Sequence, residues 1–75
     1  MKVKVVAPVA LPGLDSDGRL EVPEKTRVRD ILKRSKVLAP FLTVLPMMVN
    51  GKQVKVSHLL NDGDVLVIVF PIHGG

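Results

Sequence analysis

Few side chains here are equipped for chemistry. The two imidazoles, His58 and His73, have no cysteine to join them, so a metal site is not expected. No nucleophile has a base beside it, no carboxylates pair in a credible site, and no glycine-rich phosphate loop is present, so an enzyme in its own right is disfavoured. What stands out is the stretch "VLVIVFPIHGG", six apolar residues followed by Pro71, Ile72, His73 and the pair Gly74-Gly75. Termini usually fray and carry little sequence information. Either the two glycines are a loose tail, or the terminal carboxylate on Gly75 is the working group.

Glycine suits the second reading. Without a Cβ its backbone passes through a narrow channel and takes φ values closed to other residues. Residues 71–75, fully extended, reach at most about 16–18 Å. Pro71 stiffens the root of such an arm and the glycines leave its tip free.

The chain must first build a body to hold the arm. Seventy-five residues support one domain, and a domain this small buries about 60–65% of the surface its unfolded chain exposes. With no cysteine, stability rests on packing of the apolar 47% of the sequence. The start, "MKVKVVAPVALPGL", has lysines ahead of an apolar run but is broken by prolines and lacks a small-residue cleavage site, so secretion is not expected and a cytoplasmic location is. The longest apolar run, Val65 to Phe70, is too short to span a membrane and suits a buried strand. The formal charge of +4 is concentrated between Lys25 and Lys36. Such a patch fits nucleic acid, an acidic protein or a phosphorylated ligand. Nucleic acid is disfavoured because the two phenylalanines are the only aromatics available for stacking.

Alternation in Lys2-Val3-Lys4-Val5-Val6 predicts a first strand with Val3 and Val5 facing a core. Asp15-Ser16-Asp17-Gly18 supplies turn chemistry before a second strand over Arg19–Val22, the two joined by a long connection. Thr26 is placed to cap a helix whose apolar face carries Val28, Ile31, Leu32 and Ser35, with Asp30 opposite and able to pair with Lys33 or Arg34. Pro40 ends that segment at the latest. Asn50-Gly51, between Met47-Met48-Val49 and Val54/Val56, predicts a type I′ hairpin. Asn61-Asp62-Gly63-Asp64 predicts a second tight turn, launching a last strand that is apolar on both faces and so central in its sheet.

Placed in order, these elements make an α+β domain, residues 1–75, with a mixed sheet of four to five strands covered by one main helix. With the first and last strands adjacent and parallel, this is the β-grasp (ubiquitin-like) layout, and residues 71–75 form a flexible C-terminal tail. With Leu66, Ile68 and Phe70 turned toward the helix, Val65, Val67 and Val69 lie on the opposite face, where they form an apolar partner patch or are covered by a loop such as Phe41 to Leu45.

The segment "VNGKQVKVSHLLNDGDVLVIVFPIHGG" resembles the C-terminal half of the ubiquitin-like sulfur carriers, the family of the molybdopterin synthase small subunit (MoaD) and the thiamine-pathway carrier (ThiS). Asn50-Gly51, Asp62-Gly63-Asp64, the apolar strand and Gly74-Gly75 follow in the family's order. "FPIHGG" is more similar to the molybdopterin type, with His73 in place of the usual small residue.

The resemblance implies that a ubiquitin-activating-like enzyme, using ATP and Mg²⁺, adenylates Gly75, and that a sulfur donor protein then converts it to a thiocarboxylate. The sulfur passes to an acceptor synthase subunit in molybdopterin-like or thiamine-like cofactor biosynthesis. The chain itself would bind no cofactor and would act as a carrier, or as the non-catalytic small subunit of a synthase. A protein modifier conjugated through Gly75 is the alternative, and a small basic nucleic-acid-binding module a more distant one.

Overall fold

The computed structural model describes residues 1–7, 11–36, 39–41 and 46–69. Strands β1 (Lys2–Val6) and β2 (Arg19–Glu21) are followed by helix α1 (Val28–Leu32), a single 3₁₀ turn (Ala39–Phe41), and strands β3 (Met47–Val49), β4 (Lys52–Val54) and β5 (Val65–Ile68). The five strands form one sheet in the order β2-β1-β5-β3-β4. β5 lies at its centre, parallel to β1 and antiparallel to β3. This is the mixed β-grasp sheet that the strand pattern predicts.

Side-chain alternation decides which face is closed. Val3, Val5, Leu20, Met47, Val49, Leu66 and Ile68 are buried on one side of the sheet, and α1 adds Val28, Ile31 and Leu32 to the same core. Burying each such side chain stabilises the fold by about 1.5–3 kcal/mol. A helix of five residues is too short to be stable alone, so it depends on this packing.

The start of α1 differs from the sequence expectation. Thr26 does not cap it; the Thr26 hydroxyl donates to the carbonyl of Pro23 at 2.7 Å. The cap falls at Arg27, whose backbone N–H donates to Asp30 Oδ2 at 2.8 Å. Asp30 therefore serves the helix N-terminus, where a carboxylate is favoured by the unpaired amides. Long-range pairing sets this register: Arg27 bridges Leu59, and Leu60 N donates to the Thr26 carbonyl.

Two strands are shorter than expected. β2 stops at Glu21, after which Val22 N donates to the Met1 carbonyl. β5 stops at Ile68, although Val69 N still donates to the Pro46 carbonyl at 3.0 Å. Phe70 lies outside the described residues.

The turn before β2 is tightly organised. Asp15 Oδ1 accepts from the backbone N–H groups of Asp17 and Arg19, both at 2.9 Å. The Arg19 amide is the main cause that holds the Asp15 carboxyl below its ordinary value, aided by the Asp17 amide and by Lys2 and Arg19, against a smaller opposing desolvation. A depressed folded-state pKa stabilises above the unfolded value and is lost as pH falls through the folded one. Asp15→Asn is thus expected to flatten the decline of Tm on the acid side of the ordinary carboxylate range, measured by thermal melts in a pH series.

Candidate functional site

The Asn50-Gly51 and Asn61–Asp64 turns, separate in sequence, meet beneath the start of β5. Asn50 and Gly51 have φ of 53° and 83°, as the two-residue β3–β4 hairpin requires. Asn50 Nδ2 donates to Asp64 Oδ1 at 2.9 Å, and Asn50 Oδ1 accepts from Val65 N at 3.0 Å. Asp64 Oδ2 accepts from Asn61 N at 2.8 Å. On the β1 side, Lys2 N donates to Asp62 Oδ1, Gly63 N to the Lys2 carbonyl and Lys4 N to the Asp64 carbonyl. The N-terminal end of β5 is thus clamped from both neighbouring strands.

On the face of the sheet away from α1, Val65 and Val67 are half-buried and Val69 is 39% exposed. Two residues that the sequence reading did not include join them. Val6, 46% exposed, sits beside Val67 in the parallel register, and the half-buried Met48 sits beside Val67 on the other side. An apolar stripe three strands wide results. Val6 left a signal, since it stands where the polar/apolar alternation of β1 calls for a polar residue. Met48 left a weaker one, being the residue of opposite parity between two buried neighbours.

The stripe has polar borders. Gln53 of β4 follows Met48 on one side, and Lys4 and Arg19 flank Val65 on the other. The tail residues Pro71, Ile72, His73, Gly74 and Gly75 lie outside the described residues, as do residues 42–45 of the loop considered as a cover. The other imidazole, His58, is half-buried and lines a groove with Asn50, Lys52, Asn61 and Asp64. Its backbone is structural, the carbonyl accepting from Val28 N at 3.0 Å. Among the described residues no three potential metal-ligating side chains cluster, and no helix is long and apolar enough to cross a membrane.

Comparison with known proteins decides the family. The ThiS family model matches residues 3–75, which include both turns of the clamp, the stripe and the glycine pair. The chain belongs to the ThiS family. Similar solved structures have the same β-grasp fold across their full length. SAMP1 from Haloferax volcanii is 18% identical with a TM-score of 0.66, and each chain is covered completely. A chain of the complex between subunits 1 and 2 of the molybdopterin-converting factor from Helicobacter pylori 26695 is 25% identical with a TM-score of 0.62, again with complete coverage of both. None of the curated proteins matches the sequence. As a ThiS-family β-grasp domain with a MoaD-like neighbour, the chain stands among the sulfur carriers and ubiquitin-like proteins.

Proposed function

We propose that this ThiS-family chain is a sulfur carrier whose reacting group is the carboxylate of Gly75. The observation that carries the proposal is the family match running through Gly75, on a fold whose central strand leads by sequence into residues 71–75. A carboxylate is a poor electrophile. An adenylating partner joins a Gly75 oxygen to the α-phosphorus of ATP and releases pyrophosphate. The outer sulfur of a persulfide on a donor protein then attacks the acyl carbon of the mixed anhydride and AMP leaves; a thiol cleaves the S–S bond of the resulting acyl disulfide, forms a disulfide with the donor cysteine and releases the thiocarboxylate. Charge stabilisation of the phosphates belongs to the partner and its Mg²⁺. The carrier supplies the reacting end and the surface that docks it.

An acceptor synthase subunit is the natural destination of the sulfur, because the molybdopterin-converting factor neighbour is seen as a complex of two subunits. A synthase containing this chain would take its chemistry from the other subunit. Conjugation of Gly75 to lysines uses the same activated carboxylate and is the second reading, favoured by the fold shared with the ubiquitin-like proteins.

The stripe of Val65, Val67 and Val69, widened by Val6 and Met48, is the docking surface in this reading. Val67→Asp places a charge at its centre. Docking buries the rest of this half-buried side chain, worth about 1 kcal/mol, and desolvating the introduced carboxylate costs at least about 1 kcal/mol more, so affinity for the adenylating enzyme falls by about 30-fold or more. Folding should lose only about 1 kcal/mol, the span of strand preferences at a half-exposed position. Isothermal titration with the enzyme, beside thermal melts, separates the two, and unchanged affinity would count against the surface. The reading as a whole is tested by ATP–pyrophosphate exchange, which the adenylating enzyme should show only when the chain is added.

A further inference from the structure

At the Gly63 end of the stripe the open face carries a cationic pair that makes no direct ion pair among the described residues. Lys4 of β1 lies directly across from Arg19 of β2 and directly beside Val65 of β5. Like charges facing each other across strands destabilise a sheet, so this arrangement needs a compensating role. Each neighbouring carboxylate has another partner, although the Arg19 charge also acts on Asp15. Asp15 binds the Asp17 and Arg19 amides and lies 3.9 Å from Lys2 Nζ; Glu21 lies 3.4 Å from the terminal ammonium; Asp62 accepts from Lys2 N. Among the described residues, neither Lys4 nor Arg19 has an ion-pair partner.

The two cations open onto a groove of about 300 Å³, lined also by Lys2, Asp62, Gly63 and Val65. The chemistry of its rim selects the anion. A phosphate site would offer free backbone amides, but Lys2 N, Lys4 N, Gly63 N, Arg19 N and Val65 N all donate within the fold. What remains free is a planar guanidinium and an ammonium on an exposed sheet face, flush with an apolar stripe. A guanidinium takes a carboxylate or a phosphate through two parallel N–H bonds, and beside an apolar stripe that meets a protein surface the anions at hand are that surface's carboxylates.

We infer that Lys4 and Arg19 receive one or more carboxylate side chains of the adenylating enzyme and so fix the direction in which the stripe docks. This rests on the carrier reading and adds the partner's charge to it. An apolar stripe alone can be met in either sense along β5, whereas a cationic end makes one sense favourable, and the chain's charge of +4 steers an acidic surface toward it.

The test is ATP–pyrophosphate exchange by the purified adenylating enzyme from the same organism, with the intact chain as variable substrate. Lys4→Gln/Arg19→Gln should raise the KM for the chain about tenfold at low salt and leave kcat within about twofold. The wild-type KM should climb more steeply with ionic strength than the variant's. Lys4→Arg should behave as wild type, since it keeps the charge, and the Tm of each variant controls for folding. An unchanged KM, or a variant as salt-sensitive as the wild type, overturns the inference while leaving the carrier reading in place. No exchange with the wild-type chain overturns the carrier reading, and this inference with it.

Discussion

Deletion of Gly75 is expected to abolish adenylation and thiocarboxylate formation while leaving Tm unchanged. Removing one residue retracts the reacting carboxylate by about 3.3–3.6 Å, and a displacement of about 1 Å from a reacting geometry already costs on the order of 10²-fold in rate. Gly75→Ala keeps the length but adds a Cβ and closes the positive-φ region; it too should abolish adenylation. The buried core of the described residues runs from Val3 to Ile68, so neither change should touch it. Pyrophosphate exchange and a thermal melt on the same preparations check both halves. A variant that still forms thiocarboxylate would sink the mechanism.

The second large effect is on stability, at Asp64. This carboxylate is only 7% exposed and accepts from the Asn50 amide and the Asn61 backbone. Asp64→Ala leaves both donors without their partner at the point where β5 begins. A hydrogen bond to a charged group contributes about 1.5–3 kcal/mol, and Asn50 and Asn61 are exposed, so water partly replaces the lost acceptor; a total of about 2–4 kcal/mol is expected for the two bonds. At roughly 0.05–0.15 kcal/mol per residue, a 75-residue domain has about 4–11 kcal/mol in hand. The corresponding drop in Tm is roughly 10–30 °C. Asp64→Asn, which keeps one carbonyl oxygen, should lose about half as much by the same reasoning. Urea titration with an unchanged m-value gives the comparison. A loss for Asp64→Ala within about 0.5 kcal/mol, the range of an ordinary surface change, would show that the two turns are held independently.

The parts of the fold legible in the sequence are those written in local pattern. Val3 and Val5 alternate with lysines, Asn50-Gly51 has the residue types a two-residue hairpin needs, and the unbroken apolar run of β5 marks a central strand. The parts that were not legible depend on partners far along the chain. Thr26 has the right side chain for a cap, but the Arg27–Leu59 bridge and the Leu60–Thr26 hydrogen bond draw residue 26 into extended pairing and move the cap one residue on. Asn50 and Asp64 each read as turn residues, and nothing local says that they bond to each other across fourteen positions.

The candidate site divides the same way. The valines of β5 share a face by simple alternation, and the sequence shows it. Val6 and Met48 enter the stripe only through the registers β1↔β5 and β3↔β5. The Lys4–Arg19 pairing likewise comes from the β1↔β2 register, which the loop between the strands does not announce.

The Gly75 carboxyl group distinguishes carrier from modifier, and intact-mass spectrometry of the chain from its native cell reads its state directly. The carrier account predicts a population in which one oxygen is replaced by sulfur, with fragmentation placing the change on Gly75. Finding Gly75 solely in amide linkage to lysine side chains of other proteins would contradict it.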